Sequence, residues 1–110
     1  MRHFPFANLT AAVESMPDVF DSHNVIRAMM TTWPHDYVQE QHAFLNTSDP
    51  IHISHQQIGR ALYKVPGIVP FHRVVSPNVR GKRTINQQWK KVPQPPAAPQ
   101  ADPPATNNVA

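Results

Sequence analysis

The sequence predicts a small α+β domain: an N-terminal layer of three helices, a fourth helix, and a C-terminal β-hairpin. Two observations predict this class. Apolar residues recur with the spacing of helices up to about residue 65, and they then alternate with the period of strands. A proline-rich stretch follows, so within a chain of 110 residues we expect one domain over 1–92.

The first two helices are predicted from apolar stripes that lie between capping residues and prolines. Asn8 or Thr10 is placed to cap a short helix that Pro17 ends. Asp21 or Ser22 offers a side-chain oxygen to the free amides of the second helix. The residues expected to face the core are Leu9, Ala12, Val13, Met16, Val25, Ile26, Met29, Met30 and Trp33.

A third helix is expected to begin at Pro34, because proline fits the first helical turn, where its missing N–H is not needed. Tyr37 and Phe44, like the two tryptophans, are interpreted as core anchors. Residues 46–50 are rich in residues that favour loops, so the third helix is expected to end before them. The alternating segment 51–53 is interpreted as a possible short strand.

The fourth helix is predicted to start at Ser54, because Ser54 and Gln57 have the spacing of a capping box. It runs to about Lys64, with an apolar stripe that includes Ile58 and Leu62. A glycine inside a helix is unfavourable, so Gly59 suggests that another backbone packs closely there.

Two segments of period two, 68–75 and 84–89, predict a β-hairpin with a loop rich in turn residues between them. Pro70 predicts that the first of these strands lies at a sheet edge, because proline cannot donate a ladder hydrogen bond. From residue 93 to 110 the chain holds six prolines and no large aromatic residue, which predicts a disordered tail.

Charge is strongly segregated along the chain. Residues 1–49 carry two basic and six acidic side chains, whereas residues 50–92 carry eight basic and no acidic ones. Such segregation produces a positive surface that attracts polyanions, although the two halves could also neutralise each other.

A capped helix followed by a basic hairpin is similar to a winged helix-turn-helix module, over residues 51–92. This resemblance implies DNA binding, with helix side chains on base edges and hairpin cations on phosphates. The loop from Asn46 to Ile53 before the helix is longer than the usual turn of about three to four residues. The expected nucleic-acid-binding residues are His55, Gln56, Gln57, Arg60, Lys64, Arg73, Arg80, Lys82, Arg83 and Lys90.

Two short segments, 58–62 and 70–75, resemble the G-R-A-L and P-C-H-R-V segments of methylguanine-DNA methyltransferases. Phe71 stands where that family has its cysteine, so alkyl transfer lacks its nucleophile. The match covers fewer than twenty residues, and no function is carried over from it.

Other chemistries find little support in the sequence. The chain has no cysteine, no glycine-rich phosphate loop and no nucleophile elbow, so we expect neither an enzyme nor a cofactor. His52 and His55 have metal-like spacing but no obvious third ligand, and no metal site is expected.

The principal alternative to DNA binding is a protein-interaction adaptor or mobile-element accessory protein. Its acidic half or its proline-rich tail would then bind the partner. RNA is a further possible ligand, and a homodimer through the helical half is plausible. The absence of a long apolar segment predicts a cytoplasmic protein that does not enter membranes.

Overall fold

Four helices and three strands follow one another in a computed structural model that describes residues 4–93. The prediction of a disordered tail therefore falls outside the described residues, except at Pro93. In chain order the elements are α1 (Phe6–Glu14), β1 (Val19–Asp21), α2 (Ser22–Thr32), α3 (Pro34–His42), α4 (Pro50–Leu62), β2 (Ile68–Pro77) and β3 (Arg83–Lys91). The predicted α+β class, with four helices and a C-terminal hairpin, is confirmed.

The three strands form one antiparallel sheet in the order β1-β3-β2. The hairpin strands pair from Ile68 opposite Lys91 to Pro77 opposite Arg83, with a bulge between Pro70 and Arg73. Strand β2 lies at an edge, as Pro70 predicted. Strand β1 is an addition to the predicted fold: it is only three residues long, too short for an alternating pattern to reveal it.

The core lies between the helices and the sheet. Trp89 is 1% exposed and pairs across the sheet with Phe20 of β1. From the helices come Leu9, Val13, Val25, Ile26, Met29, Ile58 and Leu62, all buried. These helical residues match the predicted stripes. Of the other residues expected in the core, Met16, Met30 and Trp33 are partly buried against it, whereas Phe44 is partly buried and is not part of it. None of the described helices is long and apolar enough to cross a bilayer.

Of the N-caps predicted for the first two helices, only that of α2 is confirmed. Asp21 caps α2: its side chain accepts a hydrogen bond from the Asn24 backbone N–H, and the Asn24 side chain accepts one from the Asp21 backbone. Helix α1 instead begins at Phe6, after Pro5, without a side-chain cap. The prediction of Asn8 or Thr10 as its cap was therefore wrong.

Helix α4 begins earlier than predicted. Asp49 is its N-cap and accepts a hydrogen bond from the His52 N–H at 3.3 Å, and Pro50 occupies the first turn. Segment 51–53 is therefore helical, and the strand and the Ser54 cap predicted there were wrong. Ser54 is fully buried within the helix. Apart from its chain neighbours and its own helix, no described atom lies within 4 Å of a Cβ added at Gly59, so the close backbone packing predicted there was wrong.

Helix α2 is fastened to the hairpin by polar contacts. The Arg27 guanidinium donates to the backbone carbonyls of Pro77 and Asn78. The Ser22 hydroxyl donates to the Gln87 carbonyl at 3.2 Å and accepts from the Trp89 indole N–H at 3.0 Å. These bonds set the position of the hairpin relative to the helical layer.

Candidate nucleic-acid interface

A cleft of about 490 Å³ lies between the exposed side of α4, the hairpin and the first turn of α2. Three arginines line it, namely Arg60 from α4, Arg73 from β2 and Arg80 from the hairpin loop. No carboxylate of the described residues 4–93 is among the residues that line the cleft. The cleft is therefore a place where positive charge converges.

One side of the cleft is a polar stripe on α4. His52, Gln56 and Arg60 follow one another at intervals of four residues and are all exposed, so they project from the same face of the helix. The opposite face carries buried Ser54, Ile58 and Leu62. Within residues 4–93 the Arg60 guanidinium has no hydrogen bond or ion pair, so all its donors are available to a ligand.

The hairpin loop is shaped by Asn78. Its side-chain Oδ1 accepts hydrogen bonds from the backbone N–H groups of Arg80 and Lys82, at 2.9 and 3.0 Å. The backbone at Gly81 has a φ of 78°, a left-handed conformation that glycine adopts without strain. This compact turn brings Arg80 to the N-terminal end of α4.

Arg80 is paired there with an acidic residue of the helical half. Its guanidinium donates to the two carboxylate oxygens of Asp49 at 2.7 and 3.3 Å, in an exposed ion pair. The hydrogen bonds from Arg80 and from the His52 backbone lower the pKa of Asp49. An anion that binds Arg80, as the sequence predicts for phosphate, must therefore compete with Asp49.

Replacing Asp49 with asparagine tests this competition. Asparagine still caps the helix, but it carries no charge to hold Arg80, so we expect Asp49→Asn to bind DNA about threefold more tightly at low salt. Fluorescence anisotropy with a labelled duplex measures the change. Asp36→Asn, which removes an acidic charge in α3, serves as the control, and an equal gain there would show only a net-charge effect.

The other predicted residues divide into two groups. His55, Gln56, Arg60, Arg73 and Arg80 line the cleft, whereas Gln57, Lys64, Lys82, Arg83 and Lys90 do not. Within the second group, the Lys90 ammonium lies 5.3 Å from the centroid of the Phe71 ring. The Arg83 guanidinium donates to the Val75 carbonyl at 3.4 Å.

His55 occupies a different environment from that of an exposed base-reading residue. It is partly buried, and its Nε2 lies 2.6 Å from the Tyr37 hydroxyl, which links α4 to α3. Burial, with nearby positive charge, lowers the pKa of His55 to about 4, and burial raises the pKa of Tyr37 to about 12. His55 is therefore neutral at neutral pH and acts as a contact between helices.

This environment predicts a loss of stability in mild acid. An unfolded chain protonates His55 near pH 6.5, whereas the folded chain does so only near pH 4, so stability falls as the pH decreases through this window. Discounted for partial exposure, the free energy of unfolding should be about 2 kcal/mol lower at pH 4.5 than at pH 7. Urea denaturation at the two pH values measures it.

The matched controls for this pH effect are two histidine substitutions. In His55→Gln the dependence on pH should be largely lost, while replacement of exposed His35 with glutamine should retain it. Burial also lowers the pKa of His23, so we expect His23 to cause the pH dependence that remains in His55→Gln. An unchanged dependence in His55→Gln would assign the effect to other groups.

His23 belongs to a polar network that sequence analysis missed. Its Nδ1 lies 2.9 Å from the Ser76 hydroxyl, which also accepts a hydrogen bond from the Asn86 amide at 3.0 Å. The Asn86 Oδ1 accepts from the His23 backbone N–H. These residues come from α2, β2 and β3, and no sequence spacing brings them together. The network supports the floor of the cleft.

Tyr63 is the second residue that sequence analysis missed. It lines the cleft, is 63% exposed and packs edge-to-face against Trp89. A sequence signal was available: Tyr63 lies outside the apolar stripe of Ile58 and Leu62, three residues after Arg60, and therefore on the exposed face of α4.

The described residues offer no group of three or more His, Asp or Glu side chains arranged to hold a metal ion. Comparisons with protein-family models, with curated proteins and with solved structures find no match to this chain.

Proposed function

We propose that this chain binds DNA through α4 and the β2–β3 hairpin, as a small regulatory protein of the winged-helix type. In this arrangement α4 is the recognition helix and the hairpin is the wing. Two features of the fold support the proposal: the hairpin follows α4 directly, and β1 from the N-terminal half completes the sheet beside β3.

The observation that carries the proposal is the convergence of Arg60, Arg73 and Arg80 in one cleft beside the polar stripe of α4. These arginines are far apart in sequence and come from a helix, a strand and a loop. Arginine forms two parallel hydrogen bonds with guanine or with phosphate. A polyanion is the ligand that satisfies several such groups at once.

The residues divide by role in the proposal. Gln56 and Arg60 face the base edges, because glutamine pairs with adenine and arginine with guanine. Gln57, half-buried on the neighbouring side of α4, flanks this pair. The phosphates are contacted by cations around the cleft and on the hairpin, namely Lys64, Arg73, Arg80, Lys82, Arg83 and Lys90.

Helix α3 serves as the supporting helix of the proposed motif. Residues 43–49 separate α3 from α4, a longer connection than the usual turn of about three to four residues. The two helices nevertheless touch, because the Tyr37 hydroxyl and the His55 ring are 2.6 Å apart. In a helix-turn-helix motif with a short connection, the turn itself holds the two helices together. Here the contact between Tyr37 and His55 does so.

The test compares Arg60→Gln with Lys91→Gln on a labelled random-sequence duplex and on duplexes of defined sequence. Both variants lose one positive charge. The Lys91 ammonium lies outside the cleft and donates to the Glu14 and Met16 carbonyls. We expect Arg60→Gln to weaken binding about tenfold and Lys91→Gln two- to threefold, roughly the effect of one charge.

Arg60→Lys separates the contribution of positive charge to DNA affinity from that of hydrogen-bond geometry, because lysine keeps the charge but cannot form the paired hydrogen bonds. If Arg60→Gln and Lys91→Gln weaken binding equally, α4 is not the recognition helix. A failure of the wild-type protein to bind any duplex at low salt would reject the proposed function.

A homodimer through the helical half stays a prediction. Phe6, Val38 and Leu45 are exposed apolar residues of this half, and paired subunits would place two recognition helices on successive half-sites. Sedimentation equilibrium of the wild-type protein and of Val38→Glu measures the mass. A monomer at every concentration would leave a single half-site as the target.

A further inference from the structure

We infer that the cleft receives one unpaired nucleotide of the bound strand, with its base stacked on Tyr63. This inference rests on the proposed function and goes beyond it, because it names the form of nucleic acid that the site prefers. The observation behind it is an exposed aromatic ring that shares a cleft with unpartnered arginines.

The Tyr63 ring is held in place and open to a ligand. Its centroid lies 4.7 Å from that of Trp89 and the two planes are 75° apart. An edge-to-face contact occupies at most one face of the Tyr63 ring, and the side chain is 63% exposed. Trp89 is itself fixed by burial and by its hydrogen bond to Ser22, so the stacking surface is preorganised.

Groups for the rest of a nucleotide lie in the same cleft. Arg60 is three residues before Tyr63, a spacing that gives the two side chains neighbouring positions on the helix surface, and both line the cleft. Arg73 lines the cleft from β2, and its guanidinium, like that of Arg60, has no hydrogen bond or ion pair within residues 4–93. One of these can bind the phosphate while the base stacks.

Polar groups for the edge of the base are also present. The Gln56 side chain is exposed on α4. The Gln87 Nε2 donates to the backbone carbonyls of His72 and Gln88, an arrangement that holds the side chain and leaves its Oε1 as an acceptor. The volume of about 490 Å³ falls in the range of small-molecule sites, about 300–1,000 Å³.

Such a ligand differs from a fully paired duplex, whose bases are stacked on one another and cannot reach Tyr63. A nucleotide that is already unpaired reaches the ring without the cost of opening a base pair. Stacking on an aromatic side chain adds to the affinity for each base that it accommodates. The protein should therefore discriminate between paired and locally unpaired DNA.

The experiment measures the affinity of the full chain for two labelled duplexes that differ by one extra unpaired adenosine in one strand. We expect the bulged duplex to bind about tenfold more tightly than the paired one. Tyr63→Leu, which still packs against Trp89, should weaken binding of the bulged duplex more than that of the paired one and so remove this preference. Tyr63→Phe should retain the preference, because phenylalanine also stacks.

The outcomes separate this inference from the proposed function. Equal affinity of the wild-type protein for both duplexes, or an unchanged preference in Tyr63→Leu, overturns the inference alone. Binding to the bulged duplex without binding to the paired one supports the inference and restricts the proposed function to unpaired sites. Binding to neither duplex rejects both.

Discussion

Replacing Trp89 with alanine should lower the free energy of unfolding by about 3–5 kcal/mol, the usual cost of truncating a buried aromatic residue. Trp89 is 1% exposed, lies opposite Phe20 in the sheet and donates to Ser22. It therefore joins β1, β3 and α2. A domain of this size has a total stability of about 5–10 kcal/mol, so the variant should lose about a third or more of its stability and unfold at a lower denaturant concentration.

Chemical denaturation followed by circular dichroism measures the change, with two controls. Trp89→Phe keeps most of the volume but loses the indole N–H, and should cost about 1–2 kcal/mol. Val38→Ala, at a residue that is 62% exposed, should change stability by less than about 0.5 kcal/mol. A native-like stability of Trp89→Ala would contradict the described packing.

Replacement of Lys82 and Arg83, the two cations where the hairpin loop leads into β3, should have the largest effect on DNA affinity. Lys82 and Arg83 are exposed, and neither forms an ion pair with an acidic residue of the described chain. Each phosphate contact contributes about −0.9 to the slope of log affinity against log salt. We expect Lys82→Ser/Arg83→Ser to weaken binding about 30- to 100-fold at low salt and to reduce the slope by about two.

Anisotropy titrations between about 50 and 200 mM salt give both quantities. Arg27 is unsuitable as a control because its bonds to the Pro77 and Asn78 carbonyls position the loop that carries the tested cations. Lys91→Gln, outside the cleft, gives the effect of one distant charge. An unchanged slope in the double variant would mean that the hairpin tip does not touch the phosphates, even if α4 does.

The helices and the hairpin could be predicted from sequence because their signals are local. The stripes of Val25, Ile26, Met29, Ile58 and Leu62 led directly to the core, and the change of period located the hairpin. The start of α4 was misplaced because two capping patterns compete there. Asp49 followed by Pro50 is the one that the structure uses, and Ser54 is instead buried.

The candidate site was harder to predict than the fold. Charge segregation identified the basic half. It could not show that the Arg80 guanidinium forms an ion pair with Asp49, whereas those of Arg60 and Arg73 have no ion pair within residues 4–93. That distinction depends on the loop that Asn78 and its neighbours form. Likewise, the burial of His55 against Tyr37 arises from the packing of two helices, which residue spacing does not reveal.

The loop end of the hairpin is attached to the helical layer by two of its contacts. Arg27 holds it where β2 ends, and the Arg80–Asp49 pair holds the loop beyond. Most of the orientational entropy of this arm is therefore lost when the protein folds. A ligand that meets a fixed arm loses little further freedom on association, so more of each contact contributes to affinity.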